Sequence, residues 1–268
     1  MGSAHVSWLS PSEIVRRGFE TSPVVMMNEA HNGMARCPRT RRVGKEVLPA
    51  AHAAGCRHLA MEAIYKERAG PIFLTDPPQE IGYLAQPEMR ELVDEALKLG
   101  WTLVGYEISG EEMHSTGREL LSIEATNHRE LVQAQNLVAV HRQIGGLPMM
   151  VWCGNSHHAK GVAGDWTPMG VRFMETAGFE PYSIDQTQTI AFGEWALPNI
   201  QLTDELRRVL DAHGGTVGFT TDDPPQRFEI AGVFDAFILS TDNEMIGGVD
   251  PPANGVRRRD ASADPDAE

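Results

Sequence analysis

The sequence predicts an α/β fold, with a mainly parallel central sheet and helices on both faces. Three observations lead there. Short apolar runs recur along the chain, and each reads as a strand. The stretches between them carry apolar residues at helical spacing and close on glycine. Strand and helix alternate through most of the length, which is the pattern of parallel strands joined by crossovers.

The elements follow in order. Ser10-Pro11-Ser12-Glu13 opens a short helix ending near Gly18, with Ser10 as cap, Pro11 at the first position and Glu13 closing a capping box. The first strand is expected over Val24 to Asn28. A helix over Thr40 to Ala54 buries Val43, Val47, Leu48 and Ala51 and stops at Gly55. His58 to Glu62 reads as the second strand. Residues 65–86 are rich in Pro and Gly and read as a loop or small insertion. A helix from Pro87 to Leu99, a strand from Trp101 to Tyr106, and a long helix from Arg118 or Ser122 to Ile144 come next. A fourth strand covers Met149 to Cys153, and a helix Met169 to Ala177. Tyr182–Thr189 reads as a strand, a helix capped by Thr203 follows, and Thr216–Thr220 and Phe234–Leu239 close the sheet.

Composition narrows the class of protein. The chain has 268 residues, 41% of them hydrophobic, which suits one α/β domain over 1–246. Residues 247–268 are Pro, Gly, Ala and charge and are expected to be a disordered tail. A net charge of −14 argues against nucleic acid or an anionic membrane as partner. Cys37, Cys56 and Cys153 are odd in number and form no C-x-x-C pair, so neither a disulfide framework nor a Cys-rich zinc site is expected. No signal peptide and no apolar run of membrane-spanning length is evident, and the expected compartment is cytoplasmic.

Two short motifs of one form carry the chemistry. Asn28-Glu29-Ala30-His31 follows the apolar run Pro23–Met27, and Gly154-Asn155-Ser156-His157 follows Pro148–Cys153. Strand ends of an open α/β sheet are where such folds place their sites. Glu62 and Tyr106-Glu107 end two further strands, and His158 adjoins His157. If these strands are parallel neighbours, the groups meet in one cleft. A His whose second ring nitrogen is fixed by a carboxylate is a general base. A second His or an Arg can stabilise an oxyanion, and the same His/carboxylate set can instead hold a divalent metal. On the long helix Arg129 and Asn136 are two turns apart, on one inward face near Val132 and Val140. One of Arg36, Arg39, Arg41 and Arg42 is expected to reach the cleft from the start of the second helix. His52, His58, His114, His141 and His213 have no such setting and read as structural or surface residues.

These residues resemble the superfamily that joins erythromycin esterases, the haem-binding lipoprotein ChaN and the Tiki/TraB metalloproteases. The likeness rests on the Glu-x-His of the first motif, on Glu62 in Leu59-Ala60-Met61-Glu62-Ala63, and on Arg129-Glu130 with Asn136 seven positions after the Arg. It rests also on Val151 to Lys160, with its histidines, and on Met169-Gly170 opening a helix. Together they span Val24 to Phe173. Asn28 stands where the family has Gly; an Asn can keep a φ > 0 turn or supply a hydrogen bond that Gly cannot.

The resemblance implies an EreA/ChaN-like form of the fold, closest to the erythromycin esterase-like branch. It implies a hydrolase that cleaves an ester or related bond in a small-molecule or peptide natural product, with no cofactor required. His31 would activate water, with Glu29 or Glu62 orienting it, and His157 with Arg129 would stabilise the oxyanion. Asn28, Glu107, Asn136, Asn155 and His158 would contact substrate. The alternatives it leaves open are a metal-dependent Tiki-like peptidase using His31, Glu62 and His157, and a ChaN-like haem binder with a His or Tyr106 as axial ligand.

Overall fold

The computed structural model describes residues 7–115, 122–193, 197–222 and 233–247. The chain opens with α1 (Pro11–Thr21), β1 (Val24–Glu29) and a tight hairpin of β2 (His31–Asn32) and β3 (Ala35–Arg36). Next come α2 (Pro38–Ala53), β4 (His58–Met61), β5 (Ile72–Leu74), a 3-10 turn (Gly82–Ala85) and α3 (Pro87–Lys98). β6 (Thr102–Gly105), α4 (Gly110–Ser115), α5 (Ile123–Gln143), β7 (Met149–Gly154) and α6 (Met169–Ala177) follow. The last elements are β8 (Tyr182–Asp185), α7 (Asp204–Ala212), β9 (Thr216–Thr220) and β10 (Ala236–Ser240).

The sheet order is β5-β6-β4-β7-β1-β8-β10-β9. The inner strands are mutually parallel, while β5 and β9 run antiparallel at the two edges. This is the α/β class with a mainly parallel sheet that the sequence predicts. Every residue of β1 and β7 is buried, which explains their uninterrupted apolar runs. Side chains alternate between two cores. Val25, Met27, Leu59, Met61, Met150 and Trp152 face α1, α2 and α3. Val24, Met26, Ala60, Val104 and Val151 face α5 and α6. Helices therefore cover both faces. Gly44 in α2 lies against the Trp152 indole, where an added Cβ would stand 2.4 Å from a ring carbon, so only Gly lets helix and strand approach here.

Local chemistry sets the helix ends. The Ser10–Glu13 capping box is formed in full, and Thr203 caps α7 through the amide of Leu206. Ser122 is the cap of α5; Arg118, the alternative start, lies outside the described residues. The expected tail likewise falls outside them from residue 248 onward.

Two expectations are corrected, and one element is added. The 65–86 segment contributes an edge strand to the sheet, because Ile72-Phe73-Leu74 pairs with β6 between its Pro- and Gly-rich flanks. The strand expected over Tyr182–Thr189 stops at Asp185, whose carboxylate binds the Thr187 amide at 2.9 Å and turns the chain. The hairpin after β1 is a further element that the sequence reading does not contain. Among the described residues no helix is long and apolar enough to cross a membrane.

Candidate active site

β1, β4 and β7 are parallel neighbours, and their register sets Glu29 opposite Gly154. Both motifs therefore leave the sheet side by side. The Asn155 amide donates to the Glu29 carbonyl at 2.7 Å, and its side chain brackets the His31 backbone through Oδ1 (3.3 Å) and Nδ2 (3.0 Å). Asn155 holds this position with φ of 42°.

Two histidine–carboxylate pairs result. His31 Nδ1 lies 3.1 Å from Glu29 Oε1. Glu29 is buried and is gripped by the Arg41 guanidinium through Nε and through Nη2 at 3.1 Å. Burial pushes the Glu29 pKa up, but His31 and Arg41 outweigh it and hold the carboxyl below its usual range. An ionised carboxylate can only accept, so His31 Nδ1–H donates. Nε2 has no hydrogen-bond partner among the described residues. The ring stacks on Tyr83 at 4.7 Å, and its Cε1 edge fills the space where Gly154 lacks a side chain.

In the second pair His157 Nδ1 lies 2.5 Å from Glu130 Oε1. Glu130 is fully buried and also accepts from the Trp166 indole (3.1 Å) and the Met169 amide (2.6 Å). Burial pulls the His157 pKa down; the Glu130 and Glu62 carboxylates outweigh it, so the net shift is upward and favours imidazolium. His157 Nε2 faces Glu62 at 3.9 Å.

Glu62 stands between the pairs. It accepts the Gly154 amide at 2.7 Å and pairs with Arg129. Burial raises its pKa, but Arg129, His157 and His31 together hold it well below the usual carboxylate range. Arg129 also forks onto Glu107 through Nε at 3.1 Å, leaving Nη1 without a partner among the described residues. Four carboxylates thus face two guanidiniums and two imidazoles, and the site is neutral only when both imidazoles are charged.

The structure brings His31, Glu29, Glu62, His157, Arg129 and Glu107 together as predicted, and identifies Arg41 as the arginine that enters. The structure engages the other candidates, and the Glu107 carboxylate, in bonds within the protein. Asn28 is fully buried in an extended strand, not a φ > 0 turn. Its amide joins the Asn155 carbonyl (2.5 Å), Asp185 (2.6 Å) and the Gln186 amide (2.8 Å), bonds that a Gly there would lack. Asn155 is spent on the His31 backbone. Asn136 donates to the Tyr106 carbonyl at 2.8 Å and fixes the end of β6. His158 is fully buried, bonded to the Ile184 carbonyl at 3.0 Å, and burial depresses its pKa to about 4. The lone pairs of Glu107 are taken by Arg129, Gln133 (3.0 Å) and the Ile108 amide (2.7 Å), so it orients Arg129. Tyr106 is buried with its hydroxyl on the Trp152 carbonyl (3.2 Å), out of reach of a haem.

Among the described residues no group of three or more His, Cys, Asp or Glu side chains is arranged to hold a metal ion, and His31, Glu62 and His157 do not form such a set. Glu130 and Tyr83 are the principal residues without an assigned role in the sequence reading. A signal for Glu130 exists: it lies on the stripe of Ala134, Leu137 and Val138, which is all buried, and an acid on an apolar stripe needs a partner. Tyr83 sits in a Pro- and Gly-rich segment with no periodicity, and nothing in the sequence marks it.

No family model matches the chain, and no curated protein matches it. A solved structure titled "The structure of the type III effector HopBA1" matches with a TM-score of 0.45 and 12% identity, over 90% of this chain and 99% of that one.

Proposed function

We propose that the chain is a hydrolase of the erythromycin esterase-like kind, cleaving an ester or related bond of a small-molecule or peptide natural product without a required metal. The observation that carries this reading is the pair of imidazoles, each with Nδ1 tied to a buried carboxylate, on neighbouring strand ends around one further carboxylate. In the reaction, His31 Nε2 takes a proton from water as the water oxygen attacks the carbonyl carbon. The carbonyl oxygen becomes an oxyanion facing the His157 imidazolium and Arg129. Collapse breaks the bond to the leaving oxygen, which receives the proton from His31, giving acid and alcohol. Glu29 and Arg41 keep the His31 tautomer; Glu130 keeps His157 charged.

The test is His31→Ala, measured on p-nitrophenyl esters and macrolide lactones, with circular dichroism as the check on folding. Turnover should fall by about 10²–10⁴-fold, the usual worth of a general base. A folded variant with wild-type turnover refutes the assignment. Elemental analysis of the active protein tests the metal-free part: a stoichiometric transition metal lost together with activity on replacing His157 would transfer the reading to a metallohydrolase.

A further inference from the structure

A cavity of about 420 Å³ lies on edge strand β5 and the segment that leads from it into the 3-10 turn. Its volume is in the range of small-ligand pockets. Ile64, Ile72, Phe73, Leu74, Ile81 and Leu84 give it an apolar side, the exposed Asp76 and Gln79 a polar one, and no charged group of the histidine cluster lines it. The chain ties its walls to the cluster at two points. Ile64 and Tyr65, both lining, follow two and three residues after Glu62. Ile81 and Leu84 flank Tyr83, whose ring stacks on His31. The approach is apolar as well. Tyr65 and Ile81 are 57% and 49% exposed, and Met34, 54% exposed, sits on the hairpin that follows His31. The Met34 carbonyl accepts from Gln86 at 2.9 Å, and Gln86 in turn bonds Arg41.

We infer that this cavity binds the apolar body of the substrate, an alkyl or aryl group, while the ester lies at His31 and His157. The inference rests on the hydrolase reading and names its substrate class: esters with a bulky apolar substituent, not small polar ones. The division of labour is physical. The histidine cluster is mostly charged, so binding energy for an apolar substituent would come from beside it, where burial of each methylene is worth about 0.8 kcal/mol.

The test is kcat/KM across p-nitrophenyl acetate, butyrate, hexanoate and octanoate, with calorimetric binding of octanamide as a non-hydrolysed probe. The series should rise by up to about fourfold per methylene, which is that transfer energy converted to a ratio. Thr75→Trp, which fills the cavity from an exposed position, and Ile81→Asp should flatten the series, read as the ratio of octanoate to acetate kcat/KM within each variant. Hydrolysis at one rate for all chain lengths, with no octanamide binding, overturns the cavity assignment and leaves the hydrolase reading standing. Octanamide binding that Thr75→Trp abolishes, with no ester hydrolysed, keeps the cavity and overturns the hydrolase reading. Neither hydrolysis nor binding overturns both.

Discussion

Gly154→Ala is the sharpest perturbation of the site. An ideal Cβ at 154 would stand 2.2 Å from His31 Cε1, and ordinary contact begins near 3.4 Å, so the ring must retreat by about 1.2 Å. It has little room to do so. Nδ1 is bonded to Glu29 at 3.1 Å, and the ring is stacked on Tyr83. A retreat of that size breaks the Glu29 bond or the stack. The cost in stability is that of overpacking, about 1–3 kcal/mol. The cost in rate is larger, because a misplacement of about 1 Å in a catalytic group can reduce turnover by about 10²-fold. The assay is kcat/KM beside a urea unfolding curve, with the His31 ring followed by NMR. Rate should fall by about two orders of magnitude while the protein stays folded. A Gly154→Ala protein with wild-type kcat/KM refutes the claim that His31 must occupy this position against strand β7.

Three other outcomes are expected. Glu130→Gln keeps a hydrogen-bond acceptor but removes the charge that raises the His157 pKa above its ordinary 6.5. Stability from that raised pKa is complete below the unfolded value and is lost as pH rises through the folded one, so the variant should lose stability mainly from acidic to neutral pH and shift the alkaline limb of kcat/KM toward acid; an unmoved limb contradicts the role given to Glu130. Arg129→Leu leaves Glu62 and Glu107 facing each other, and should destabilise by about 3 kcal/mol in urea unfolding at pH 7, less at low pH as Glu62 protonates. Cys37, Cys56 and Cys153 are all buried, and burial pushes the Cys56 thiol up to about 12, so a thiol reagent should label none in the native protein and three after denaturation.

How much of this was readable in advance depends on the residue. The buried strands are, because Val24 to Met27 and Met149 to Cys153 have no polar face to hide. The convergence of the motifs is, because parallel strands bring their C-terminal ends together. The edge strand β5 is not: three residues between Pro and Gly clusters carry no alternation, and its identity depends on β6 alongside. The roles of Asn28, Asn136, Asn155 and His158 are not either. An amide or imidazole near a strand end looks the same in sequence whether it faces a ligand or a neighbouring backbone, and here all four are taken up by the protein. Arg41 is one of four arginines within seven positions, and only helix phase separates it from Arg39, which bonds the Gln186 carbonyl and Asn243, each at 2.9 Å.

The three bonds of Glu130 couple events that lie apart in the chain. One carboxylate holds an imidazole from the end of β7, an indole from the following loop and the first amide of α6. His31, by contrast, depends on β1, α2 and the 3-10 turn. In the proposed reaction the two histidine pairs are thus braced from opposite faces of the sheet, with the Asn155 side chain still tying the His31 backbone to the loop after β7. On the proposed mechanism, local opening around Trp166 would weaken the Glu130 contact that favours the His157 imidazolium, and the oxyanion would lose a partner in a protein whose core around Trp152 has not moved.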